Sequence, residues 1–322
     1  MTFTRISGTG GYLPERVMTN KEFEKIVDTS DEWIRERSGI KRRHIAAEDE
    51  TTSDMALAAG RKAIEAAGIG LDEIDLIIVA TTTPDKVFPS TACMVQRRLE
   101  LHKFPALDVH AACSGFLYGL DVADRFIRTG GASCVLLVGA ETYSRILDWS
   151  DRTTCVLFGD GAGAVVLQAS ETEGVISTNI QADGQYEELL HVPAGISTGY
   201  DQVRQESAYI HMKGHEVFRK AVTALETVAR DTLIANNIEG SDITWLIPHQ
   251  ANLRIIAAAA KKLKLPMERV VVTVDEHANT SSASVPLALD VAVRDGRVKR
   301  GDLLLFEAFG SGFTWGAALV RY

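Results

Sequence analysis

Apolar and polar positions alternate along this chain in two rhythms, one helical and one typical of short buried strands. Helical spacing from Ala56 to Ala67 gives way to a polar turn and then to the continuous apolar run Leu76-Ile-Ile-Val-Ala80. The pattern repeats: Ala67-Gly-Ile-Gly-Leu-Asp-Glu-Ile-Asp-Leu-Ile-Ile-Val-Ala80 is echoed by Asn236-Asn-Ile-Glu-Gly-Ser-Asp-Ile-Thr-Trp-Leu-Ile-Pro-His249. Likewise, the stretch from Phe158 to Leu167 is echoed from Phe309 to Val320. A supersecondary unit used twice, with helices alternating with Val/Ile/Leu strands, predicts a layered α/β architecture. Ser170-Glu-Thr-Glu-Gly174 breaks the pattern, which sets the expected halves at 1–172 and 173–322. The polar stretch from Gln181 to Ser207 is the least regular and reads as a surface loop or a cover.

Composition narrows the function. The 322 residues are 46% hydrophobic and 24% charged, enough for two core-bearing units. A formal charge of −9 argues against general nucleic-acid binding, which needs a basic surface. No apolar run approaches the roughly 20 residues of a membrane span, and Met-Thr-Phe-Thr-Arg is not a signal sequence, so a cytoplasmic protein is expected. Cysteines 93, 113, 134 and 155 show neither CxxC nor metal spacing; reduced thiols and no metal are expected. A local exception to the acidic balance is 251–265, a helix-like segment with Arg254, Lys261, Lys262 and Lys264.

Chemistry is concentrated at three places. Cys113 stands where the apolar lead-in Asp108-Val-His-Ala-Ala meets Ser-Gly-Phe-Leu-Tyr-Gly-Leu120, so a helix is expected to begin at the thiol. The unpaired N–H groups and dipole of that terminus would favour thiolate. His249 follows the short run Trp245-Leu-Ile-Pro248, at a strand's carboxyl end. Asn279 lies in Ala278-Asn-Thr-Ser281. Alone, each has a structural reading: a buried thiol, a satisfied histidine, a turn asparagine. Together they fit nucleophilic catalysis, although papain-like proteases use the same three residue types.

The longer motifs are more specific. Asp31-Glu-Trp-Ile34, Arg37-Ser-Gly-Ile40, the Cys113 segment, Phe158-Gly-Asp-Gly-Ala-Gly163, His249-Gln-Ala-Asn-Leu-Arg254, Asn279-Thr-Ser281 and Gly312-Phe-Thr-Trp-Gly316 occur in this order over nearly the whole chain. In this the sequence resembles the β-ketoacyl-acyl carrier protein synthases III, condensing enzymes that begin dissociated fatty acid synthesis. The resemblance implies an α/β thiolase-like fold, two pseudo-symmetric halves in a five-layer αβαβα sandwich. It also implies decarboxylative condensation of a short acyl-CoA with malonyl-acyl carrier protein through an acyl-Cys113 intermediate, with His249 and Asn279 as donors and no cofactor, acyl-CoA being a substrate.

By the same resemblance, backbone N–H groups of Cys113 and Ser311 form an oxyanion hole. Trp33, Arg37, Arg152 and Arg254 contact CoA. Phe88 and Leu190 bound the acyl pocket, Phe88 across a homodimer interface. Arg219, Gln250, Arg254, Lys261 and Lys262 would dock the acidic carrier protein. Two departures stand out: Ala278 and Ser311 occupy positions where the family typically has Gly, so Ser311 would be strained if its φ were positive. The alternatives are a same-fold enzyme of secondary metabolite or signal-molecule synthesis, a thiol hydrolase, and a noncatalytic CoA or carrier-protein binding module.

Overall fold

A computed structural model of the protein describes residues 2–203 and 208–322. Two mixed sheets form its frame. The first has five strands in the order Phe3–Tyr12, Gly161–Ser170, Cys134–Glu141, Leu76–Ala80, Ala106–Val109. The second has four in the order Val175–Ala182, Thr314–Arg321, Leu303–Gly310, Trp245–Pro248. Both run antiparallel, antiparallel, then parallel across their successive pairs. In the second sheet a single parallel bridge, Leu246 to Val270, stands where the first has its fifth strand. The repeat in the sequence is thus a repeat in space.

Three apolar cores separate the layers. The helices Gly115–Arg128 and Ser284–Arg294 lie between the sheets, where Phe116, Leu120, Val285 and Leu289 meet Ile78, Leu137, Leu304 and Phe306. Helices Thr52–Ala67 and Thr91–Arg98 cover the outer face of the first sheet, and Gly214–Ala235 and Leu253–Lys262 that of the second. This is the expected five-layer αβαβα sandwich. Local signals set the helix ends: Thr51 and Asp54 form a reciprocal capping box, and Gly68 closes the same helix in the left-handed conformation at φ 68°. The basic segment expected at 251–265 is helical over Leu253–Lys262, capped by the Asn252 side chain accepting from the Arg254 N–H.

Each half turns sharply before its central helix. Ala112, at φ 45°, begins the short turn Ala112–Ser114, and Ser281, at φ 50°, begins the equivalent turn Ser281–Ala283. Cys113 and Ser282 are therefore counterparts. Each turn rests on the other half's sheet at a glycine. A Cβ on Gly139 would meet the Ser282 carbonyl oxygen at 2.2 Å, and one on Gly310 would meet the Cys113 nitrogen at 2.8 Å. The stretch from Gln181 to Ser207 contains the short turn Gly184–Leu189 and the pair Leu190–His191 with His211–Met212; its last four positions lie outside the described residues.

Glu307, on an inner strand of the second sheet, is fully buried, and among the described residues neither carboxylate oxygen is hydrogen-bonded. Burial pushes its pKa up to about 8. Between the ordinary carboxyl pKa and 8 the unfolded chain ionises while the folded one keeps the proton, so this group's contribution to stability falls as pH rises. Glu307→Gln removes that loss. Urea unfolding at about pH 6 and about pH 8.5 is expected to show the glutamine variant gaining ~3 kcal/mol on the wild type over that interval. An unchanged difference would place an ionised, compensated carboxylate there.

Candidate active site

The Cys113 turn is tied to the second half by side chains as well as by close packing. Ser114 Oγ donates to the Thr314 carbonyl at 3.0 Å, and Thr314 Oγ1 donates to the Ala111 carbonyl at 2.9 Å. Cys113 is buried, and burial pushes its thiol up to about 12, opposed by the Ser281 hydroxyl and the residue's own backbone N–H and reinforced by Glu141. The helix expected to begin at the thiol starts at Gly115, and the thiolate favoured from sequence is outweighed by desolvation. At rest the Cys113 side chain is a thiol.

His249 leaves the end of its strand with its backbone N–H donating to the Glu307 carbonyl at 2.8 Å. Burial lowers its pKa to about 3, so the ring is neutral and carries a single N–H. Asn279 is held on three sides. Its N–H donates to the Leu157 carbonyl at 3.0 Å, its carbonyl accepts from the Gly159 N–H at 3.0 Å, and its Oδ1 accepts from the Ser281 N–H at 2.9 Å. Committing Oδ1 to a donor fixes the flip of the amide, and Nδ2 makes no hydrogen bond among the described residues. His249, Asn279 and Phe309 line one cavity of about 510 Å³.

Gly310, which follows Phe309, rests on Cys113. A second cavity, of about 690 Å³, is lined by Ala112, Thr82, Tyr143, Leu190 and Ser311, the residue after Gly310. Leu190 reaches it because its carbonyl accepts from Ser311 Oγ. The strain anticipated at Ser311 is absent. Gly312 takes the positive φ of 131°, whereas the other departure, Ala278, sits at φ 57° and ψ −160°, a region that favours glycine.

At the mouth of the first cavity are Arg37, Asn252, Arg254 and Phe218, with the Arg254 guanidinium 5.6 Å from the Phe218 ring centroid. Trp33 has guanidinium groups over its ring from both Arg152, at 5.3 Å, and Arg37, at 5.8 Å. Trp33, Arg37 and Arg152 thus form one cluster, and Arg37 and Arg254 line the same cavity. Arg219, Arg254, Lys261 and Lys262 are exposed, Lys262 paired with Glu226 at 2.8 Å. Gln250 corrects the expected docking set. It is 1% exposed, its Nε2 donates to the carbonyls of Pro248 and Val271, and its Oε1 accepts from the N–H groups of Thr273 and Val274, so it braces the approach to Asn279. Phe88 is 83% exposed and lines neither cavity of the single chain.

Sequence reasoning missed Glu141, at the carboxyl end of an apolar strand. Its buried carboxylate accepts from the hydroxyls of Thr81, Thr82, Thr83, Ser281 and Ser282, and so links both halves behind Cys113. The run Thr81-Thr-Thr83 after a strand and the pair Ser281-Ser282 were its only signal. Tyr143, buried beside Phe158 with ring centroids 5.1 Å apart, was also missed.

A thiol at pKa about 12 is expected to alkylate slowly at neutral pH. Its rate, followed on the Cys113 peptide by mass spectrometry with iodoacetamide, should rise about tenfold per pH unit from about pH 6 to 9. A plateau below pH 8 would mean a preformed thiolate.

Comparison with known proteins is consistent along the chain. The family model for 3-oxoacyl-[acyl-carrier-protein (ACP)] synthase III matches residues 107–184, and that for its C-terminal part matches residues 233–322. The chain is 66% identical, over the full length of both, to the β-ketoacyl-[acyl-carrier-protein] synthase III of Thioalkalivibrio sulfidiphilus. It is 63% identical to that of Xanthomonas campestris pv. campestris over 99% of this chain and 98% of the relative. The crystal structure of 3-oxoacyl-[acyl-carrier-protein] synthase III from Aquifex aeolicus superposes with a TM-score of 0.94 at 51% identity, covering 99% of this chain and 100% of that one. Cys113, His249 and Asn279 thus sit in a thiolase-like frame, and the chain belongs to the β-ketoacyl-acyl carrier protein synthase III family of condensing acyltransferases.

Proposed function

We propose that the protein starts fatty acid synthesis by condensing a short acyl-CoA, acetyl-CoA in the first instance, with malonyl-acyl carrier protein. The observation that carries this reading is the commitment of Asn279 Oδ1 to the Ser281 N–H, which turns the amide N–H groups toward the cavity shared with the neutral His249 ring. Two neutral donors facing one apolar space suit an oxyanion that exists only in passing.

In the first step Cys113 sulfur attacks the acyl-CoA carbonyl, the C–S bond to CoA breaks, and the proton lost by Cys113 leaves on the CoA thiol. The tetrahedral oxygen would be held by the N–H groups of Cys113 and Ser311, which flank Gly310. In the second step the malonyl thioester loses carbon dioxide, and the freed electron pair passes to the thioester oxygen, where His249 and Asn279 donate. The enolate carbon then attacks the acyl-Cys113 carbonyl and expels the cysteine sulfur, which takes up a proton from solvent to regain the thiol, giving acetoacetyl-acyl carrier protein. Each charge that develops meets an N–H donor, so the sequence calls for no cofactor.

Trp33, Arg37, Arg152 and Arg254 would bind the nucleotide end of CoA. Arg219, Arg254, Lys261 and Lys262 supply an exposed basic face for the acidic carrier protein, weakened at Lys262 by Glu226. Phe88 and Val87, both exposed, would meet a second copy of the chain, with Phe88 closing the partner's acyl pocket. No helix among the described residues is long and apolar enough to cross a membrane, in keeping with a cytoplasmic enzyme.

Product analysis tests the reading. Wild-type protein with acetyl-CoA and malonyl-acyl carrier protein is expected to yield the β-keto thioester; free acid would indicate a hydrolase, and no product a binding module. Cys113→Ala is expected to abolish acyl transfer. His249→Ala and Asn279→Ala should slow malonyl decarboxylation by about 10²- to 10³-fold while still loading Cys113. Equal loss of both half-reactions in the Asn279 variant would remove it from the decarboxylation step.

A further inference from the structure

Among the described residues Arg43 is the largest side chain with no exposure at all, and it has no salt bridge there. A buried guanidinium without a carboxylate partner is costly, so its contacts show what it holds. Desolvation pulls its pKa down to about 10, which leaves it charged at neutral pH. It lies 4.4 Å from the centroid of the Phe23 ring, and its Nε has no partner.

Its two terminal nitrogens point in different directions. Nη2 donates to the Val156 carbonyl at 2.6 Å. The next residue, Leu157, accepts the Asn279 N–H, and Gly159 donates to the Asn279 carbonyl. Residues 156–159 therefore form a backbone clamp on Asn279, and Arg43 pins its near end. Nη1 donates to Asn20 Oδ1 at 2.8 Å and to the Met18 carbonyl at 3.3 Å. Asn20 Nδ2 in turn donates to Asp31 Oδ1 and to the Ile40 carbonyl, at the two ends of the helix segment that carries Trp33 and Arg37.

We propose that Arg43 is a positioning residue for the decarboxylation step, holding the Asn279 carboxamide in line through Val156 and the 157–159 clamp. This rests on Asn279 being an oxyanion donor. Arg43 touches no reacting atom. Its cost in burial is balanced by fixing a donor whose displacement by about 1 Å would cost up to 10²-fold in rate. The Asn20 arm also reaches the helix of the nucleotide-side residues, but that helix keeps the Ser30 cap and the Asn20 bonds to Asp31 and Ile40 when Arg43 is replaced, so the loss is expected on the Asn279 side.

The test uses Arg43→Met, which keeps the volume and removes the charge, and Arg43→Lys, which keeps the charge and loses the fork. Three quantities are measured for each: the unfolding midpoint, single-turnover loading of Cys113 from acetyl-CoA, and decarboxylation of malonyl-acyl carrier protein. Both variants are expected to load Cys113 within about threefold of wild type and to decarboxylate about 10- to 100-fold more slowly. Should neither fold, Gly159→Ala perturbs the clamp while keeping the Arg43 guanidinium, its added Cβ meeting the His277 carbonyl oxygen at 2.9 Å and Arg43 Cβ at 3.0 Å, and the same selective loss is expected. Unchanged decarboxylation in a folded variant, or loading and decarboxylation falling together, would overturn the proposal. Failure of the wild type to load or decarboxylate would instead overturn the functional reading on which it rests.

Discussion

The structure depends on two close approaches of backbone to backbone, one at Gly139 and one at Gly310. Each brings the sharp turn of one half onto the central strand of the other, at a separation no side chain would allow. Because the approaches are reciprocal, the halves can dock in only one relation. That relation sets Cys113, from the first half, beside Gly310 of the second, whose neighbours Phe309 and Ser311 line the two cavities. The counterpart of the nucleophile, Ser282, occupies the same geometry without the same role. Its hydroxyl donates to the Ala80 carbonyl and to Glu141, fastening the halves together.

The electrostatics follow from how completely this docking excludes water. Burial keeps Cys113 protonated and His249 neutral, and it raises the Glu141 carboxyl against the hydroxyls and backbone N–H that bond it. Around Cys113 and His249 the resting site therefore carries little charge. In the proposed mechanism charge would appear only when a thioester reacts, and it would meet donors already aimed by Ser281, by the 157–159 clamp and by the turn at Cys113. Fixed dipoles need no reorganisation as an oxyanion forms, so neutral donors would suffice.

Much of this was legible in the sequence, for physical reasons. The repeated helix, turn and strand pattern reports burial with a fixed period, so a layered α/β architecture used twice could be read from Ala67–Ala80 and Asn236–His249, while the number of layers came from the family resemblance. The motif around His249 marks a strand end, as read, whereas Asn279 follows the short helix Val274–His277 and not a strand. What was not legible depends on tertiary packing. Gln250 is polar and beside a basic helix, yet the backbone of 248, 271, 273 and 274 consumes every hydrogen bond it can make. Ser311 and Ala278 both replace an expected glycine, but only the path of the chain shows that Ala278 takes the positive φ. Glu141 and Arg43 look like ordinary surface charges in sequence, and only a structure shows them buried.

The account stands most directly on Cys113 as the acyl acceptor. Incubation of the protein with acetyl-CoA and with longer and branched acyl-CoAs, without any malonyl donor, followed by mass spectrometry of the intact chain and its peptides, tests this in one measurement. A single acyl adduct on Cys113, with free CoA released, is the expected result, and the preferred chain would define the primer. No adduct from any acyl-CoA, or one on Cys93, Cys134 or Cys155 in place of Cys113, would contradict it.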